Sequence, residues 1–272
     1  MTTTNPRPFI RWAGGKQNII KEIVCHAKKV PLANYHEPFL GAGSLFFAVT
    51  AKKYFLSDIN SNLINCYTQI KNYHKEVYEG LASFKLPIGP ELYYKVREEF
   101  NCNLSIDDVS QAVRFIFLNR TSFNGIYRVN LKGQYNVPFG KPTPAFPSRE
   151  LLCAVSRKLE GAEIRTLPYK ETAQFISPGD LVYLDPPYPG ISKTAYFGHY
   201  SVERFSDNDQ KDLANFASEL RETGAHVLIS NADTKLIRKL YRRWNIAECK
   251  STRYVSCKKE KQQVKELIIK SY

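Results

Sequence analysis

Disulfide and zinc frameworks are missing from this 272-residue chain: its six cysteines (Cys25, Cys66, Cys102, Cys153, Cys249, Cys257) form no C-x-x-C pair and no Cys/His cluster. Scattered thiols of this kind fit a reducing compartment, and no metal is expected. His26, His36, His74, His199 and His226 are equally dispersed, with no ligand or nucleophile beside them, so each reads as structural. No stretch is apolar enough to span a bilayer, and no basic amphipathic anchor is evident. The polar start, Met1 to Pro8, carries no signal-peptide pattern, so a cytoplasmic location is expected. Repeats, low-complexity segments and obvious linkers are also absent. Acidic residues are in short supply: 26 Asp plus Glu face 39 Lys plus Arg, a formal net charge of +13. In a chain with 17 Tyr and 16 Phe, that excess points to a polyanionic partner rather than to a merely solvated face.

What is present is an alternation of strand-like and helical patterns. The runs Tyr54–Ser57, Glu163–Leu167, Leu181–Leu184, Val227–Ile229 and Leu267–Ile269 read as strands. Residues 207–222 read as a helix, with Ser206 as N-cap and Leu213, Phe216, Ala217 and Leu220 on one face. Strands alternating with helices predict an open, mostly parallel α/β sheet. The middle differs: 61–80, 91–101 and 105–119 look helical, and Tyr127–Leu131 with Gln134–Val137 could pair as a hairpin around Lys132-Gly133. This predicts a core built from both chain ends, residues 1–65 and 159–272, interrupted by a recognition block at 66–158.

The most informative motif is Asp185-Pro186-Pro187-Tyr188, directly after the apolar run Leu181–Leu184. Pro187 holds Pro186 extended, and neither proline has an N–H, so the turn offers acceptors without donors: the Asp185 carboxylate and the Pro186 carbonyl. Two acceptors could hold both hydrogens of an exocyclic amine and aim its lone pair outward, while Tyr188 stacks on the heterocycle. The bland alternative is a strand stop. All four residues behind a buried-strand pattern favour the amine site. A second motif, Pro38-Phe39-Leu40-Gly41-Ala42-Gly43-Ser44, has the Gly-x-Gly turn that lets a ligand approach the backbone. Phe46 stands where a dinucleotide fingerprint needs a small residue, which disfavours pyrophosphate. Asp58 ends the next strand-like run, where a carboxylate can accept from ribose hydroxyls. A nucleoside ligand without pyrophosphate fits this pair, S-adenosylmethionine among others. Trp12-Ala13-Gly14-Gly15-Lys16 is not an ATP loop, since Ile10 and Gln17 break the Walker pattern.

In order, the chain carries W-A-G-G-K, E-P-F-x-G-A-G-S, D-I-N-x-x-L, R-E-E-F-N, L-N-R, F-N-G, N-V-P-F-G, D-P-P-Y and Ile229-Ser230-Asn231. Over nearly its whole length it resembles the Dam-type, GATC-reading adenine-N6 methyltransferases, alpha-class amino-methyltransferases. The resemblance implies a Rossmann-like S-adenosylmethionine-dependent methyltransferase core with an inserted helical and β-hairpin DNA-recognition domain. It also implies that Trp12 and Lys16 touch the cofactor, that Gly41 and Gly43 form the turn beneath it, and that Asp58 holds the ribose. Asp185 lies where cofactor and base meet, with Pro186 and Tyr188 completing the catalytic turn. Phe39 and Tyr169 are candidates for the pocket wall, with ordinary core packing as the alternative for both. The product would be S-adenosylhomocysteine, and the chemistry requires no metal.

A base inside a duplex cannot reach such a pocket, so the adenine must be flipped out of double-stranded DNA. The run Asn119–Arg128 carries suitable chemistry: Phe123 can wedge into the stack and Asn124 can bond an orphaned base. Ile126 can meet a thymine methyl, and Arg128 can grip guanine O6/N7. By resemblance, the arginine corresponding to Arg128 reads the first guanine. Asn136 and Pro138 match the N-V-P-F-G segment as further groove contacts, and Arg11 matches a basic residue next to the site. The expected activity is therefore adenine-N6 methylation of GATC, by an enzyme that is a monomer on DNA. The rivals are the same chemistry on another DNA site, on RNA adenine or on a protein glutamine, and a catalytically silent nucleic-acid-binding protein.

Overall fold

A computed structural model of the protein describes residues 6–102, 108–188, 205–254 and 261–272. His199, Cys257 and residues 105–107 of the expected third helix lie outside the described residues. The helices are α1 (Ile20–Ala27), α2 (Ser44–Ala48), α3 (Ser61–Ala82), α4 (Pro90–Cys102), α5 (Val109–Thr121), α6 (Arg149–Leu159), α7 (Asp207–Glu222) and α8 (Lys235–Leu240). The strands are β1 (Asn34–Glu37), β2 (Lys53–Asp58), β3 (Glu163–Thr166), β4 (Leu181–Leu184), β5 (His226–Ala232), β6 (Asn245–Tyr254) and β7 (Lys261–Lys270). They form one seven-stranded sheet in the order β3-β2-β1-β4-β5-β7-β6. Strands β1 to β5 pair in parallel, and β7 is antiparallel to both β5 and β6. The expected mostly parallel α/β sheet is therefore present. Its strand order reverses between β1 and β4, which opens a crevice at their carboxyl ends.

Burial on both faces of the sheet explains why β4 is apolar throughout and β5 is apolar over Val227–Ile229. Leu181, Tyr183 and Leu228 pack into one buried cluster; Val182, Leu184, Val227 and Ile229 pack into another on the opposite face. Strand β6 lacks this signature because it is the sheet edge, and its Asn-Ile-Ala-Glu-Cys-Lys start did not read as a strand. Helix α7 begins as expected, with Ser206 and Asp209 forming a reciprocal capping box.

Between β2 and β3 the chain builds α3 to α6 and the hairpin segment. Helix α3 runs through residue 66 and kinks at Tyr73, whose backbone is non-helical. The amino-terminal segment is fastened to this block: Phe9 meets Tyr67 edge-on at 5.0 Å and Trp12 stacks on Tyr127 at 5.5 Å. The hairpin is shorter than its sequence pattern. One bridge joins Val129 to Tyr135, and the turn spans Asn130–Gly133, where the Asn130 side chain accepts from the amides of Lys132 and Gln134. The polar Asn130 thus ends the pairing before Leu131, which is 83% exposed.

Candidate active site

Strand β4 is fully buried and delivers Asp185 to the carboxyl end of the sheet beside the crevice. The Asp185 Oδ1 atom accepts from Ser230 Oγ of β5 at 2.7 Å and lies 2.7 Å from the Lys16 ammonium. Ser230 is in turn 2.9 Å from the Tyr183 hydroxyl. Burial raises the Asp185 pKa, opposed by the Lys16 charge and by hydrogen bonds from Lys16 and Ser230. The turn is pinned by a side chain from α7: Gln210 donates to the Pro187 carbonyl at 3.0 Å and accepts from Asn231 at 3.0 Å. Tyr188 donates its hydroxyl proton to Glu266 Oε2 at 2.5 Å. The Lys16 ammonium, 4.7 Å from the Tyr188 ring centroid, also donates to the Gly14 carbonyl at 2.5 Å. Lys16, expected at the cofactor, has its ammonium on Asp185 and over the Tyr188 ring.

The second half of the crevice follows β1 and β2. Gly41 and Gly43 both have positive φ, and a Cβ on Gly41 would lie 2.8 Å from the Trp12 ring. The indole therefore closes over the Gly41 backbone, which only glycine permits. Asp58 accepts from the Gly41 amide at 3.1 Å and the Asn60 amide at 3.0 Å. Burial outweighs those two amides and pushes its pKa up to about 6. Beside it Ile59 is 64% exposed, and the buried Ser44 Oγ has no hydrogen-bond partner among the described residues. A carboxylate bound to a tight glycine turn that the Trp12 indole covers fits a nucleoside ligand. Phe39 and Tyr169 stack on each other at 5.2 Å and pack against the second core cluster.

Four of the residues expected at DNA alternate with buried ones along the hairpin segment. Tyr127, Val129, Tyr135 and Val137 are buried, whereas Ile126, Arg128, Asn136 and Pro138 are partly or fully exposed between them, as strand alternation requires. Arg128 Nε donates to Asn136 Oδ1 at 2.8 Å and its Nη2 to the Asn136 carbonyl at 3.3 Å. Asn136 therefore clasps Arg128. Phe123 is 51% exposed, its amide held by the Pro138 carbonyl at 2.9 Å, and Asn124 adopts a left-handed φ of 56°. The Arg11 backbone is bound on both sides by Asn119, at 2.8 and 2.7 Å, and its side chain crosses Gly125.

Several residues here were missed by sequence reasoning. Ser230 shows its role only through strand pairing, which sets β5 beside β4 and its hydroxyl on Asp185. Gln210 and Glu266 carry no local signal, because helix packing and β-register bring them in. The buried Glu37, pushed up to about 8 chiefly by burial, supports the glycine turn through the Phe46 amide at 3.2 Å and accepts from Tyr35 at 2.7 Å. Gly140 is a further case: a Cβ there would lie 2.4 Å from Phe123 Cα. Gly140→Ala should therefore displace the Phe123 turn and lower stability by about 1–3 kcal/mol, read by denaturant unfolding.

Residues 12–255 match the family model for D12 class N6 adenine-specific DNA methyltransferases. The chain belongs to this family. It is 38% identical to the DNA adenine methylase of Escherichia coli K12 over 92% of this chain and 89% of that protein. It is 36% identical to the type II methyltransferase M.MjaIII of Methanocaldococcus jannaschii, over 98% of this chain and 99% of that protein. A third relative, the type II methyltransferase M1.LlaDCHI of Lactococcus lactis subsp. cremoris, is 33% identical over 98% of this chain and 96% of that protein. The seven-stranded sheet is accordingly a Rossmann-like methyltransferase core, and the enzyme is a DNA adenine methyltransferase. Membership implies S-adenosylmethionine as the methyl donor. No helix among the described residues is long and apolar enough to cross a membrane.

Proposed function

We propose that this methyltransferase modifies N6 of a flipped adenine in GATC, acting in the cytoplasm as a monomer on double-stranded DNA. The observation that carries the assignment of the site is the Lys16 ammonium held between Asp185 and the face of Tyr188. A pocket that binds a protonated amine in this way suits an amine that becomes cationic during reaction. S-adenosylmethionine, when bound, supplies the methyl group on a sulfonium and leaves as S-adenosylhomocysteine; no metal is needed. Trp12, Lys16, Gly41, Gly43 and Asp58 would hold it, with Phe39 and Tyr169 at the pocket wall and Asp185 where it meets the base. Asp185 accepts one N6 hydrogen and the Pro186 carbonyl the other, while Tyr188 orients the base by stacking. Residues 66–158 form the recognition block: Phe123 wedges into the stack, Asn124 bonds the orphaned base, and Ile126, Arg128, Asn136, Pro138 and Arg11 meet the duplex. The Dam-type order of motifs and the intact Arg128 segment favour GATC over other sites.

The deciding experiment incubates the protein with labelled S-adenosylmethionine and a panel of DNA, RNA and protein substrates, then maps modified DNA by sequencing. Label in GATC duplexes alone is expected. Label in RNA or glutamine peptides, or at another DNA site, would overturn the specificity proposed here.

Cofactor affinity should depend on pH through Asp58. Its carboxylate accepts from hydroxyls more strongly than its protonated form does, and its pKa is raised to about 6. Binding is thus fully present above that value and lost as pH falls through it. Calorimetric titration in a chelator should give a constant affinity above about pH 7 and a loss approaching about tenfold per unit below about pH 6. Asp58→Asn should bind weakly at every pH, with no such slope.

A further inference from the structure

Glu266 lies on β7 opposite Ala232 of β5, far in sequence from every motif, and is 3% exposed. Its Oε2 receives the Tyr188 hydroxyl proton at 2.5 Å, while a cation, the Lys16 ammonium, sits 4.7 Å from the centroid of that ring. Burial and the charges of Asp185 and Glu266 raise the Tyr188 pKa well above its ordinary value, so the phenol keeps its proton and remains the donor. An aromatic face attracts cations through its quadrupole. A carboxylate on the phenol's hydrogen pushes electron density onto the ring and strengthens that attraction. A hydrogen bond this short also fixes the ring's plane at the end of the Asp185–Tyr188 turn.

Methyl transfer makes such a cation. The N6 lone pair forms the new N–C bond as the S–C bond breaks and its electron pair stays on sulfur. The positive charge passes from sulfur to N6, which then releases one proton to solvent water. We infer that Glu266 is a positioning residue for this step: through the Tyr188 hydroxyl it holds the ring beneath the amine and enriches the face on which positive charge grows. The inference rests on the proposed placement of the adenine amine at Asp185 and Tyr188. It predicts an effect on the chemical step, where the electrostatic demand changes, rather than on ground-state binding.

The test is single-turnover methyl transfer by the full chain, with S-adenosylmethionine and a GATC duplex, for wild type, Glu266→Gln, Tyr188→Phe and the double variant. Glu266→Gln keeps an acceptor and removes the charge, so the rate should fall about tenfold. Affinities for DNA and cofactor should stay near wild type. Tyr188→Phe should show a loss of similar size, and adding Glu266→Gln to it should change nothing further. Should Glu266→Gln not fold, Tyr188→Phe alone decides: an unchanged rate there overturns the inference. An unchanged rate in folded Glu266→Gln, equal losses in both backgrounds, or a loss confined to DNA affinity or stability would overturn it as well. Wild-type protein that transfers no methyl group to DNA would instead overturn the underlying assignment of the site.

Discussion

Asp185→Ala should lower the single-turnover rate of methyl transfer by about 10²-fold or more, the scale seen when a preorganised electrostatic group is removed from a reacting centre. The carboxyl is the side-chain acceptor of the Asp185–Tyr188 turn, and in the proposed pose its loss leaves one N6 hydrogen unpaired at a largely buried position. It also removes the Lys16 partner at 2.7 Å and the Ser230 partner at 2.7 Å. A buried ammonium without its counter-charge is costly, so some thermal stability should go as well. The Gly14 carbonyl, at 2.5 Å, retains one bond to Lys16 and limits that loss. DNA affinity should survive, because the residues proposed to meet DNA lie on another part of the chain. Rapid-quench kinetics, circular dichroism and DNA titration of the same preparation separate the effects. A folded, DNA-binding variant with activity within about tenfold of wild type would remove Asp185 from the chemistry.

Arg128→Ala should relax discrimination at one base pair more than it weakens binding overall. Asn136 already occupies Nε and one Nη2 hydrogen of Arg128, which leaves the outer Nη edge of the guanidinium to meet guanine O6 and N7. The clasp fixes the fork before DNA arrives, reducing the ordering cost at the moment of recognition. Loss of the bidentate contact should cost about 1–3 kcal/mol on GATC and little on non-cognate duplexes. The measurement is kcat/KM on GATC and on single-pair variants at fixed salt. A phosphate contact behaves otherwise: its removal weakens all sequences alike and shallows the salt dependence by about one unit of slope. Equal losses on every duplex would thus make Arg128 a backbone contact.

Much of the fold was legible because the relevant signals are local. The apolar runs at 181–184 and 227–229 mark strands buried on both faces, and the capping box at Ser206 marks the start of α7. Strand β6 was invisible for the opposite reason: an edge strand needs no continuous apolar run. The hairpin was read as longer than it is, since alternation at 127–137 predicts pairing but Asn130 captures the turn amides itself.

For the site, the sequence by itself determined the chemistry on offer. A proline pair after a buried strand lacks donors wherever it is placed, Gly41 and Gly43 permit left-handed turns, and Asp58 closes a strand. Family membership was legible in the order of these motifs along the chain. Tertiary structure alone decided which groups act together. Lys16 and Asp185 are 169 positions apart and meet at 2.7 Å because the amino-terminal loop folds across the end of β4. Glu266 reaches Tyr188 because antiparallel pairing of β7 with β5 sets its register, and a one-residue slip would turn it to the other face. Gln210 reaches the turn because the buried face of α7 carries it there. Local patterns encode which donors, acceptors and conformations a segment offers. Distances between segments depend on how the sheet closes and on how its faces pack, and neither is written in any single stretch of sequence.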